Sequence, residues 1–170
     1  SSWGKLDISL KAGAQWNKVP FPLLIVPAAN LSYIIQPETF TLINNMEFLN
    51  DRYASLNISY NMNGKLFNRI PLLKKLKWRE TFHFSALSGI LTDKNNPDYN
   101  TLDGDLFLFP TRNGYTSSFA MDPKIPYIEA GVGIYNIFKL LHIEYVRRLT
   151  YLDNPKINKH GIRFMVMMVF

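Results

Sequence analysis

The chain contains no cysteine, which removes disulfide frameworks and thiolate metal sites together. It also lacks a long apolar run. The longest, residues 21–29, is broken by Pro22 and Pro27 and falls far short of the ~20 residues that a helix needs to cross a bilayer, so helical spans are excluded. No glycine-rich phosphate loop or nucleotide fingerprint occurs. The three histidines, His83, His142 and His160, stand at no metal-type spacing, and neither a cofactor nor a metal is expected. Charge is sparse as well. The net charge of +6 and a pI near 9.5 raise nucleic acid as a partner, but charged residues are only 19% of the chain and mostly dispersed, so no nucleic acid is expected. The exception is the stretch 65–79, with Lys65, Arg69, Lys74, Lys75, Lys77 and Arg79; it reads as a solvated basic turn or, more sharply, as a contact for anionic headgroups. The chain starts Ser1-Ser2-Trp3 without a charged-then-apolar leader, so any signal peptide is expected to be removed or to lie outside it.

What is present is strict period-2 alternation in segments of strand length. Residues 5–16 place Leu6, Ile8, Leu10, Ala12, Ala14 and Trp16 on one face, opposite Lys5, Asp7, Ser9, Lys11, Gly13 and Gln15. Residues 53–62 repeat the design, with Ala54, Leu56, Ile58, Tyr60 and Met62 against Tyr53, Ser55, Asn57, Ser59 and Asn61. Noisier versions occupy 77–91, where Glu80 is a misfit on the apolar face, 127–136, 141–151, where Arg147 is the misfit, and 161–170. A weaker strand is expected at 40–48, with Asn44 out of place. The fold class is therefore all-β and antiparallel, with about seven or eight strands and no convincing helix.

Mean hydropathy is near zero, which says nothing against a membrane, because barrel strands need only about 9–11 residues and alternate apolar with polar. In a soluble sheet the apolar face packs on another layer and the polar face meets water. Here the polar faces carry small, often uncharged side chains, such as Ser55-Asn57-Ser59 and Gly131-Gly133, which suit a crowded lumen. Aromatics near strand ends, Trp16, Phe48, Trp78, Tyr145 and Phe170, suit a membrane girdle. The reading is an antiparallel transmembrane β-barrel, all of 1–170 being one barrel segment. Residues 92–124 form a long polar loop assigned to the extracellular side, as is 152–159, while 18–38 and the basic turn 65–77 fall in the periplasm. Seven strands leave the first residue on the extracellular side. The even parity of known bacterial barrels then implies the C-terminal part of a larger barrel, unless an eighth strand lies within 23–36.

If the last hairpin turns near Phe138, Glu129 lies opposite Arg148 on the polar face, with Arg163 on the next strand, and the three are expected to form a lumenal ion-pair cluster. A second polar pairing, Ser85 beside His83, is the one arrangement that suggests hydrolysis of lipid.

The chain ends His160-Gly161-Ile162-Arg163-Phe164-Met165-Val166-Met167-Met168-Val169-Phe170. This resembles the C-terminal assembly signal of outer-membrane proteins, with Gly161, Phe164, Val166, Met168 and Phe170 as the positions that the insertion machinery would read. Two further stretches, 66–80 (Leu66-Phe67-Asn68-Arg69-Ile70-Pro71 through Glu80) and 145–155 (Tyr145-Val146-Arg147-Arg148 through Pro155), are similar to the C-terminal β-barrel region of large outer-membrane proteins that carry an N-terminal carboxypeptidase-like regulatory domain. That resemblance implies location in the Gram-negative outer membrane and no catalysis. Its partners would be outer-membrane lipid and lipopolysaccharide, the barrel-assembly machinery and other outer-membrane subunits. The expected role is structural, transport or envelope biogenesis. The alternatives are an outer-membrane barrel hydrolase acting on lipid and a soluble lipocalin-like binding protein.

Overall fold

The structure, a computed structural model, describes residues 3–100, 109 and 111–166. Where the alternation is cleanest the chain is extended. The described strands are β1 (Lys5–Ala14), β2 (Arg52–Asn61), β3 (Arg79–Ile90), β4 (Thr111–Arg112), β5 (Tyr115–Thr116), β6 (Tyr127–Ile137), β7 (Leu141–Arg148) and β8 (His160–Val166). Six of them form one antiparallel sheet in the order β1-β2-β3-β6-β7-β8, while β4 and β5 make a small separate hairpin. The sheet is open: β1 and β8 are its edges. The outer side of β8 is touched at one point, where the Ile35 N–H donates to the Phe164 carbonyl and the Phe164 N–H to the Tyr33 carbonyl, each at 2.8 Å.

Because every pair is antiparallel and nearly in register, side chains line up in rungs across the sheet. One apolar rung runs Leu6, Tyr60, Phe82, Val132, Tyr145, Ile162. On the opposite face a polar rung runs Ser9, Asn57, Ser85, Glu129, Arg148. A second polar rung runs Lys5, Asn61, Thr81, Gly133, Glu144, Arg163.

Burial is inverted relative to a water-soluble sheet. The apolar face stands open, with Leu10 74% and Val132 52% exposed, whereas Ser85 and Glu129 are fully covered and Arg148 is 1% exposed. The cover is the segment between β1 and β2, helped by residues 117–121. From it Phe40, Ile43, Phe48 and Met121 pack on Leu87 and Tyr127, while Leu24 and Leu49 pack with Leu91. This core sits at one end of the sheet, where the polar-face positions turn apolar.

The cover also makes a close contact that demands glycine. Asn50, fully buried, lies flat on Gly89 of β3, so that a Cβ there would fall inside the carboxamide. Gly89→Ala should therefore lower stability by about 1–3 kcal/mol, the cost of overpacking a filled interior, as read from the urea midpoint of the refolded protein. A change under about 0.5 kcal/mol would mean that the cover does not seat there.

Several sequence expectations are corrected. Residues 40–48 are not a strand: Phe40 and Phe48 make single bridges, to Ala29 and Phe119, and between them the chain turns through Met46 at φ 59°. Phe40, Leu42, Ile43, Phe48 and Leu49 are all buried, on both parities, so the apolar run belongs to a packed irregular segment. Phe48 consequently lies in the core, not in an aromatic girdle. No strand forms within 23–36 either; Ile25, Ala29 and Ile34 make isolated bridges only. The described main sheet thus has six strands instead of seven or eight, and this even count reorganises the ends. Residues 15–51 share one end with 91–126 and 149–159, which moves 18–38 away from the basic turn. The connections 62–78 and 138–140 lie at the other end together with the starting residue of β1 and the last described residue of β8. The strand expected over 141–151 stops at Arg148, because Leu149 bonds back to Ile128 and Tyr151 adopts φ 53°. One α-helix does occur among the described residues, the six-residue α1 (Pro71–Leu76), started by proline at N1 and closed by Lys77 in the left-handed region.

Candidate functional site

The chemically richest region is the covered polar face. Strands β6 and β7 bring Glu129 and Arg148 directly opposite each other, yet each finds its direct partner in the cover. The Arg148 guanidinium forks onto Glu47, donating at 2.6 Å to Oε1 and 3.0 Å to Oε2. It also donates to the Thr150 and Tyr151 carbonyls at 3.0 and 2.9 Å, and lies 4.8 Å from the Tyr127 ring centre. Both side chains of this ion pair are essentially sealed. The Glu129 carboxylate accepts the Thr41 N–H at 2.6 Å, the Leu42 N–H at 3.0 Å and the Tyr127 hydroxyl at 2.8 Å. The Arg148–Glu47 contacts are charge-assisted and about twice as strong as neutral ones, and together with the bonds to Glu129 they hold the irregular segment to the sheet.

Arg163 stands elsewhere in the arrangement. It faces Glu144 in register, two polar rungs away from Glu129, and donates from Nη2 to the Thr41 carbonyl at 2.8 Å. Thr41 thus links the two, giving its N–H to Glu129 and its carbonyl to Arg163. Glu47 is the residue that sequence reasoning missed; the only signal was a lone acid in the largely apolar stretch 40–49.

Asp51 ties down further loops. Its Oδ2 accepts from Thr92 N–H at 3.2 Å and from Asn95 Nδ2 at 2.9 Å, and Thr92 Oγ1 also donates to it. Tyr151 closes the same end by donating to the Ile125 carbonyl at 2.6 Å, and burial pushes its phenol above the ordinary value.

Beneath the cover, towards the opposite end of the strands, lies a cavity of about 670 Å³ whose lining is mixed, with Asn57, Thr81, His142, Glu144 and Arg163 beside apolar side chains such as Met165. Two glycines make room for it. A Cβ on Gly131 would stand 3.1 Å from Glu144 Oε1, and one on Gly133 3.0 Å from His142 Nε2, so the long side chains of β7 lie across β6. Ser85 Oγ is 2.7 Å from His83 Nε2 and donates to Asn57 Oδ1 at 2.6 Å. This serine is fully covered and is not among the residues that line the cavity; it serves as a link in a polar rung. Among the described residues no three histidine or carboxylate side chains converge in a way that would hold a metal.

The remaining sequence-predicted positions are spread out. Gly161 is half-buried on β8, and Phe164 and Val166 are exposed on its apolar face, while Met168 and Phe170 lie outside the described residues. Lys65, Arg69, Lys74 and Lys75 are all exposed around α1. Arg147, the misfit of β7, pairs with His160 at the rim of the apolar face, and Glu80, the misfit of β3, turns under the basic connection to accept the Leu66 N–H at 2.6 Å.

No helix among the described residues is long and apolar enough to cross a membrane, which leaves strands that cross one untouched. No curated protein and no solved structure matches the chain. Residues 2–102, however, match the family described as a family of unknown function (DUF5686), C-terminal domain. That span takes in β1, β2, β3, the cover and the basic connection, more than half of the sequence, and the chain belongs to this family, as its C-terminal domain.

Proposed function

We propose that the chain is part of an integral protein of the Gram-negative outer membrane, its sheet forming one wall of a transmembrane β-barrel with a structural, transport or envelope-biogenesis role and no catalytic step. The observation that carries this reading is the inverted sheet. Leu10, Val132, Phe164 and Val166 are exposed on one continuous face, while charged and hydroxyl side chains fill the other. In water this arrangement forfeits the main driving force of folding; against acyl chains it is the stable one. The placement of the two longest connections, 15–51 and 91–126, at one end and of the tight hairpin 138–140 at the other supports the same reading, as extracellular loops and periplasmic turns are distributed in such barrels; the connection 62–78, longer than 149–159, departs from that pattern.

Six strands with two open edges are fewer than the eight of the smallest bacterial barrels, and unpaired edges in hydrocarbon cost several kcal/mol per group. We therefore assign the chain to the C-terminal barrel region of larger outer-membrane proteins that carry an N-terminal carboxypeptidase-like regulatory domain, the further strands coming from the rest of that protein. The cover fills the lumen of this wall. Outer-membrane lipid and lipopolysaccharide contact the apolar face, and the barrel-assembly machinery reads the terminal segment through Gly161, Phe164, Val166, Met168 and Phe170.

The test is fractionation of cells that express the full-length protein. Membranes pelleted and washed with alkaline carbonate should retain it in the outer-membrane fraction, whereas release into the supernatant would overturn the assignment.

A further inference from the structure

At the end of the sheet that bears the connections 62–78 and 138–140, three segments are tied into one surface. The Tyr60 hydroxyl donates to the Trp3 carbonyl at 2.8 Å, the Lys65 ammonium lies 4.9 Å from the centre of the Trp3 ring, and Asn136 Nδ2 donates to the Lys77 carbonyl at 2.7 Å. That surface is both greasy and cationic. No residue of α1 is buried; Leu72 is 68% exposed, Leu66, Ile70 and Leu76 are open too, and Phe138 in the neighbouring hairpin is 81% exposed. Between 65 and 79 there are six cations and no acid. Exposed aliphatics beside lysines have no reason to persist in water, and a purely apolar partner would leave the ammonium groups unpaired. An interface that offers acyl chains on one side and anionic oxygens on the other satisfies both.

We propose that the connection 65–79, together with Trp3 and Phe138, is seated in a phospholipid headgroup layer and binds anionic phospholipid there. The inference rests on the barrel reading, and it adds a lipid class and a leaflet: the phospholipid leaflet on the periplasmic side, where Lys74, Lys75 and Lys77 meet phosphate oxygens while Leu72 and Leu76 dip below them. Lysine stems suit this position because they reach along apolar surface and keep the charge at the polar boundary.

Residues 1–170 contain no cysteine, so once any cysteines elsewhere in the full-length protein are replaced by serine a reporter can be placed at one position. An environment-sensitive fluorophore on Leu72→Cys, in bilayers of phosphatidylcholine with or without phosphatidylglycerol, is read by quenching from headgroup-attached nitroxides. The same fluorophore on Val132→Cys, in the apolar band, is read by nitroxides deep in the acyl chains. The expected result is quenching at position 72 that is severalfold stronger by labelled phosphatidylglycerol than by labelled phosphatidylcholine. That preference should fall about fivefold for each of Lys74→Gln, Lys75→Gln and Lys77→Gln, with position 132 unchanged. Equal quenching by the two lipids, or none, with position 132 still deeply quenched, would overturn the lipid assignment and leave the barrel standing. In a third set of bilayers, of phosphatidylcholine with lipid A, a response at position 72 that appears only there would overturn it as well, since the surface would then face the other leaflet. A position 132 that deep nitroxides do not quench would remove the barrel reading itself.

Discussion

Replacing Arg148 by methionine should destabilise the protein by about 3–5 kcal/mol, because it strands the Glu47 carboxylate in a sealed site with no cation to answer it. The loss extends beyond one ion pair. The carbonyls of Thr150 and Tyr151 lose their donors, and the Tyr127 and Phe48 rings lose the cation that lies beside them. Unfolding in urea, followed by the fluorescence of Trp3, Trp16 and Trp78 in detergent micelles or bilayers, reads the change. The double variant Arg148→Met with Glu47→Leu should recover part of the stability, since removing both charges ends the electrostatic penalty, but not all of it, since the two carbonyls stay unpaired. If the single variant costs less than about 1 kcal/mol, the cover is not anchored through this pair.

The second large effect concerns the apolar face. Val132 sits in the middle of a rung and is 52% exposed. In a soluble sheet, arginine at so open a position would change stability by no more than about 0.5 kcal/mol. In a bilayer it places a cation among acyl chains, at a cost of about 2–4 kcal/mol near the midplane. Val132→Arg should therefore lower the stability of the bilayer-inserted protein by that larger amount and reduce the fraction that inserts. Ser59→Arg, on the opposite face and also open, should cost much less. Equal small effects for both variants would place water on both faces.

The strands were legible because their chemistry is local. In 5–16 and 53–62, each residue's place on one face or the other follows from its parity, and β1 and β2 form there within a few residues. The register of Glu129 with Arg148 followed from a single local guess, a turn near Phe138. The irregular cover was not legible, and 40–48 shows why. Apolar residues that pack on both sides of a winding segment resemble a noisy strand, and what makes it wind is long-range: Thr41 and Leu42 give their N–H groups to Glu129, and Glu47 reaches Arg148. Once that segment was counted as a strand, the parity of the sheet and the side assigned to 18–38 were carried with it. Conversely, Glu80 and Arg147 broke the alternation because each sits at a strand end, where its position in the pleat no longer decides its surroundings.

The Glu47–Arg148 pair joins residues 101 positions apart, and the Thr41–Glu129 bond spans 88. The cover precedes five of the six described main strands in the chain, yet the charged side chains that anchor it, Glu129, Arg148 and Arg163, sit on the last three. It cannot be clamped down until nearly everything that follows it has been made and aligned. Contacts this remote are slow to close, so the interior should remain unfilled through most of assembly and be occupied only as a finishing step.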